Sequence, residues 1–175
     1  MKELLRKIMR WLMTPVRTNY RRRNGVMGSE TKKEIPNHIL LGLARDMIRE
    51  GHTATISVKG YSMRPFLEHE RDRVVLEAPD ELEVGDAVLA EIRRGHYVLH
   101  RIIAIEGSTL TLMGDGNLRG VEVCEKEDVA GVVTHYLRPS RTLLASDPGL
   151  KCRIRLWRKL LPVRRYLLFI YKAVV

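Results

Sequence analysis

Residues 87–105, AVLAEIRRGHYVLHRIIAI, decide how this chain is read. Ala87 to Ile92 and Tyr97 to Ile105 are runs of apolar and β-branched residues, and the charged break between them contains Gly95. Runs of this length bounded by turn residues read as strands. Outward from them, Thr53 to Val58, Arg73 to Leu76, Thr109 to Met113 and Val129 to Tyr136 repeat the pattern. Six short strands without intervening helices predict a mainly β domain over 53–137, built as a barrel or sandwich.

Helical spacing brackets this region. Ile39, Leu40, Leu43, Ala44, Met47 and Ile48 form a stripe over 35–52, with Asn37 as the expected cap and Gly51 as the stop. Leu4, Leu5, Ile8, Met9, Leu12 and Met13 form another, with Lys2, Arg6, Lys7 and Arg10 largely off that face. Pro15, Gly25, Gly28 and the run Arg21 to Arg23 mark a linker, so residues 1–34 read as a basic amphipathic helix and linker. Residues 138–175 read as a basic amphipathic tail, with Ile154, Trp157, Leu160, Leu161, Leu167, Leu168, Ile170 and Tyr171 among the cations and a break at Pro162.

The net charge of +10 suggests nucleic-acid binding until it is divided along the chain. Residues 1–34 carry ten Lys/Arg against three acids, and 151–175 carry eight against none. The 116 residues between have thirteen basic and eighteen acidic side chains, so the expected body is mildly acidic. Basic ends fit an anionic partner, of which a membrane surface is preferred to nucleic acid, or else plain solvated charge. Cys124 and Cys152 lack CxxC spacing or a histidine cluster, which points away from a disulfide framework or zinc site. Nowhere do about 18 uncharged apolar residues run together, and Met1 to Met13 lacks the continuous apolar core of a secretion signal. A cytoplasmic protein is the expectation, either peripheral at the inner face of the membrane through its basic ends or soluble.

Three elements carry chemistry. Ser62 stands between Gly60 and Pro65 at the end of a strand, where a turn can expose a hydroxyl and free backbone N–H groups. His100 sits in an apolar strand and shares a face with Val98 and Ile102 by alternation. Gly114-Asp115-Gly116-Asn117 follows a strand as a turn. Each alone is ordinary turn or core chemistry.

Their order is more specific. Ser62-Met63-x-Pro65, Gly85-Asp86-x-Val88, His100-Arg101-Ile102, Gly114-Asp115-x-Asn117 and Asp128-Val129-Ala130-Gly131-Val132-Val133 together resemble the S24/S26 peptidase superfamily over roughly residues 55–136. The resemblance implies a compact β-barrel or coiled sheet like that of signal peptidases and SOS repressors, with peripheral N- and C-terminal helices. With His100 where bacterial signal peptidases and SOS repressors have lysine, the chain is similar to the Ser-His subgroup of endoplasmic-reticulum and archaeal signal peptidases. Lys59, three residues from Ser62, does not match the family lysine.

The implied function is a serine endopeptidase processing a precursor, signal or leader peptide. Ser62 would attack the carbonyl, and His100 would take its proton and return it to the leaving amine. Asp115 is the expected orienting acid, with Glu122 as the alternative, because the relatives' further aspartate is missing from Gly120-Val121-Glu122. Gly60, Met63, Pro65, Gly85, Asp86, Gly114 and Asn117 are read as fold-forming. No metal or cofactor is called for. Two rivals stand beside this reading: a self-cleaving regulator of the SOS-repressor type, whose DNA-binding helices are not evident in residues 1–52, and a non-catalytic binding module on the same fold.

Overall fold

The computed structural model describes Lys7 and residues 36–174. The first helical stripe and the linker expected over 1–34 lie outside the described residues, apart from Lys7. Helix α1 spans Asn37–Arg49. Eight strands follow: β1 Ala54–Ser57, β2 Arg73–Glu77, β3 Ala87–Arg93, β4 His96–Glu106, β5 Thr109–Met113, β6 Glu122–Glu125, β7 Val129–Arg138 and β8 Arg141–Leu144. Helices α2 (Pro148–Lys159) and α3 (Arg164–Val174) complete the order, joined by a short 3-10 turn at Leu161–Val163.

All strand pairs are antiparallel, in the order β1-β2-β7-β3-β4-β5-β6, with β8 added to β7. The fold is mainly β, and the sheet is open and not closed into a barrel. Register shifts interrupt β2/β7, β3/β4, β3/β7 and β4/β5. Such irregularities bend strands and sharpen their twist.

Two apolar clusters follow from the two faces of the sheet. The larger joins Ile48 of α1, Ile56, Val74, Leu76, Leu89, Val133 and Tyr136 of the strands, and Leu150, Ile154, Trp157, Leu167 and Tyr171 of the last helices. The smaller gathers Val88, Ala90, Ile102, Leu110, Leu112, Cys124 and Val129 on β3–β7.

Residues 138–174, read from sequence as a tail, therefore belong to the body. Trp157 and Leu167 are fully buried. Burying one such indole removes roughly 200 Å² from water, worth about 5 kcal/mol. Two cations of this segment are structural: Arg153 and Arg164 are buried, and Arg164 donates to the Asn117 carbonyl (3.0 Å) with its guanidinium 5.3 Å from the Trp157 ring centre. Asp147 caps α2 by accepting from the Leu150 N–H (2.8 Å), and Pro148 takes the first helical position.

At α1 the cap differs from the expectation. Pro36, not Asn37, is the cap residue, and the Asn37 side chain accepts instead from Lys59 Nζ (2.8 Å). Gly51 ends the helix with φ +86°, a conformation that glycine adopts without strain. Among the described residues no helix is long and apolar enough to cross a membrane.

Candidate functional site

Ser62 leaves β1 on a turn whose geometry starts at Gly60, where φ is +88°. The Gly60 N–H donates to His69 Nδ1 (3.1 Å), and the Arg64 N–H to the Tyr61 carbonyl (3.3 Å). Beyond Ser62 the chain plunges into the core, for Met63, Pro65, Phe66 and Leu67 are all buried. The Arg64–Pro65 peptide is cis. Ser62 itself is half-buried, and its N–H donates to no acceptor among the described residues.

The Gly-Asp-Gly turn after β5 buttresses this loop by backbone contact. Gly116 N–H donates to the Ser62 carbonyl at 2.6 Å. A Cβ at Gly114 would stand 2.6 Å from that carbonyl oxygen, and one at Gly116 2.8 Å from the carbonyl of Tyr61. Both glycines are thus set by close approach to the serine loop, beyond the turn they form. Asn117 packs over Gly114 and donates its N–H to the Gly114 carbonyl (3.0 Å). Trp157 Nε1 donates to the Asp115 carbonyl (2.8 Å), so α2 holds the turn from behind.

His100 and Arg101 are neighbours on β4, so alternation sends them to opposite faces. Antiparallel pairing matches Arg101 with Met113, and Asp115 lies two residues further on. Asp115 accordingly meets Arg101: Nε donates to Oδ1 at 2.8 Å and Nη2 to Oδ2 at 2.6 Å, with both side chains almost wholly buried. Arg101 Nη1 donates to the Gly85 carbonyl (2.7 Å). Burial works against the Arg101 charge, but the Asp115 carboxylate overrides it and holds the guanidinium well above its ordinary range. Asp86 closes the adjoining turn, accepting from the Glu83 N–H (2.9 Å).

On the other face, Ile102 pairs with Leu112 and Leu112 with Glu122, which carries Glu122 to the side of His100. Glu122 Oε2 lies 2.8 Å from His100 Nδ1. The acid that meets the imidazole is therefore Glu122, and the Asp115 carboxylate is committed to Arg101. His100 is buried, whereas the Glu122 side chain is 30% exposed.

Ser62 and His100 line one groove of about 750 Å³, walled by α1, β1 and β4. Its lining mixes polar groups with the apolar side chains of Leu40, Ile56, Val58, Met63, Leu89 and Leu99. Tyr97 stands on the β4 wall, and burial raises its phenol above the usual range, so it remains a protonated donor. Lys59 also borders the groove, tied to Asn37. Among the described residues no three His, Cys, Asp or Glu side chains converge to hold a metal ion.

No protein-family model matches this chain, and no curated protein is significantly similar to it.

Proposed function

We propose that the protein is a serine endopeptidase that cleaves a peptide or protein precursor, with Ser62 as nucleophile, His100 as general base and Glu122 as the orienting acid. The observation that carries the reading is one grouping: Ser62 and His100 line a single groove, and Glu122 stands 2.8 Å from the imidazole Nδ1. A hydroxyl needs an adjacent base to become a nucleophile. When Glu122 accepts from Nδ1, the other ring nitrogen is left as the acceptor for the serine proton, and the carboxylate stabilises the imidazolium that forms.

In the forward step the Ser62 Oγ bonds to the carbonyl carbon as its proton passes to His100. The peptide C–N bond then breaks, the proton goes to the leaving amine, and water repeats the sequence on the ester. The unengaged Ser62 N–H is a donor for the developing oxyanion. A groove of mixed apolar and polar lining beside an edge strand suits an extended peptide, with apolar side chains set against Leu40, Met63 and Leu99.

The experiment is intact-mass analysis after treatment with a fluorophosphonate, which bonds only to an activated serine. Wild type gains one adduct, and Ser62→Ala and His100→Ala gain none. Glu122→Gln labels more slowly, by roughly 100-fold. A wild type that stays unlabelled, with anionic vesicles present as well as absent, overturns the proposal in favour of a binding module.

Contact with an anionic membrane surface belongs to the same proposal, through residues 1–34. The C-terminal segment commits Ile154, Trp157, Leu167 and Tyr171 to the core. Sedimentation of the full chain with phosphatidylglycerol vesicles checks it: protein left in the supernatant removes the membrane from the reading.

A further inference from the structure

Ser62 borders a second depression, on a side that His100 does not line. This cleft, about 460 Å³, lies between the serine loop, the Gly116-Asn117 turn and α3. Arg165, Leu168, Phe169 and Lys172 follow one another at i, i+3, i+4 and i+7, the spacing that puts side chains on one helix face, and all four border the cleft. Phe169 is 76% exposed and Tyr61, across the cleft, 56%.

The charge of this cleft is one-sided. None of its lining residues is acidic. Arg64, at its base, is paired with Glu68, to which the Tyr171 hydroxyl also donates (2.7 Å). Arg165 and Lys172 are both exposed, and neither is engaged by a carboxylate among the described residues. The His100 groove differs in charge: it includes Glu70 as well as Lys59. Ser62 lines both depressions, so a peptide held at its hydroxyl has one on either side.

We infer that the cleft on α3 is a charge-selecting subsite, which takes the flank of the substrate peptide beyond Ser62 and favours acidic residues there beside an apolar or aromatic one. The inference rests on Ser62 being the reactive serine. Arg165 and Lys172 supply the complement to carboxylates, and Phe169 and Tyr61 the apolar contact. Residues 1–34 of this chain are unsuited to the cleft, since their excess of seven positive charges opposes the same two cations. The substrate class is thereby narrowed to precursors whose apolar segment adjoins an acidic one.

Binding can be tested without turnover. Full-length Ser62→Ala is titrated against two fluorescein-labelled decapeptides that share an apolar half and carry either Asp-Phe-Glu or Lys-Phe-Lys in the other, with anisotropy as the readout. The acidic peptide binds roughly 10-fold more tightly at low salt, from two exposed ion pairs of up to about 1 kcal/mol each. The preference shrinks on raising the salt. Arg165→Glu with Lys172→Glu, surface changes checked by circular dichroism, reverses the order of the two peptides, and Phe169→Ala weakens both.

Equal binding of the two peptides by the unmodified cleft overturns the inference. It is also overturned if the double charge reversal abolishes sedimentation with phosphatidylglycerol vesicles but leaves peptide preference unchanged, which would make α3 a lipid contact. Fluorophosphonate labelling of the wild type separates this from the larger proposal. Charge-selective binding without labelling removes the peptidase and leaves the cleft as a peptide-binding site only, whereas labelling without selectivity keeps the peptidase and removes the subsite.

Discussion

Replacing Asp115 by alanine separates the carboxylate that pairs with Arg101 from the one proposed to orient His100. The substitution strands Arg101, whose side chain is 1% exposed and keeps only neutral partners, the Gly85 carbonyl and the Tyr136 hydroxyl. Removing one member of a buried ion pair costs about 3–5 kcal/mol. For a chain of this size each kcal/mol moves Tm by about 2–4 °C, so Asp115→Ala should unfold roughly 6–20 °C below wild type in a calorimetric or circular-dichroism melt. The double variant Arg101→Met/Asp115→Leu should recover much of that loss, because well-packed apolar replacements of buried pairs are often neutral. Glu122→Gln, at a 30% exposed side chain, should melt within about 1 kcal/mol of wild type yet slow serine labelling. The reasoning is refuted if Asp115→Ala melts with the wild type and loses fluorophosphonate labelling, while Glu122→Gln labels normally.

Gly114→Ala places its methyl against the Ser62 carbonyl and the Asn117 side chain, so it should cost about 1–3 kcal/mol and lower serine labelling; the same change at Gly107, where a Cβ meets nothing within 4 Å but φ is +64°, should cost about 1 kcal/mol and leave labelling intact. Burial, aided by Asp128 and Glu125, pushes the Cys124 thiol up to about 11, whereas Cys152 is exposed; iodoacetamide at neutral pH should therefore add one adduct to the folded protein, mapping to Cys152 by peptide mass. Burial would raise the Glu68 carboxyl, but hydrogen bonds from Arg64 and Tyr171 outweigh it and hold the group below the ordinary range. Its stabilisation is then fully present above the unfolded value near pH 4.3 and is lost as pH falls through the depressed folded value, so Tm should drop less steeply below about pH 5 in Glu68→Gln than in wild type.

Much of this architecture could be read from residues, because apolar runs between turns report strands directly. Thr109–Met113 matches its run without adjustment, and β1, β2, β3, β4 and β7 differ from theirs by a residue or two at the ends. The strands that escaped are β6 and β8. Glu122-Val123-Cys124-Glu125 is four residues long and bounded by charges, with only Cys124 buried, so it lacks a run to notice. Arg141–Leu144 lies in a segment whose cations dominate its pattern, although Arg153, Arg158 and Arg164 donate to backbone carbonyls.

The choice between Asp115 and Glu122 could have been made from parity. Residues directly opposed on antiparallel strands share a face, so Met113 and Asp115 go with Arg101, and Leu112 and Glu122 go with Ile102 and His100. Applying it required the register of β4 on β5 and the existence of β6, neither of which any single run of residues specifies. The tight backbone contact of Gly114 with Ser62 is similarly nonlocal: 52 positions apart, the two carry no mark of each other in the sequence.

The indole of Trp157 has a consequence for how the molecule is made. Its N–H reaches the turn that steadies Ser62, yet it is synthesised about 95 residues later, a delay of roughly 5–20 s at ordinary elongation rates. Val74, Leu76, Leu89 and Val133 are made in turn within that interval, and the nascent sheet presents each of them without the C-terminal helices that complete their cluster. Such a surface invites wrong partners, and the serine loop lacks its support for as long. In the ribosome-bound chain, order at the Ser62 loop should come late, arriving with α2 and not with the strand that precedes it.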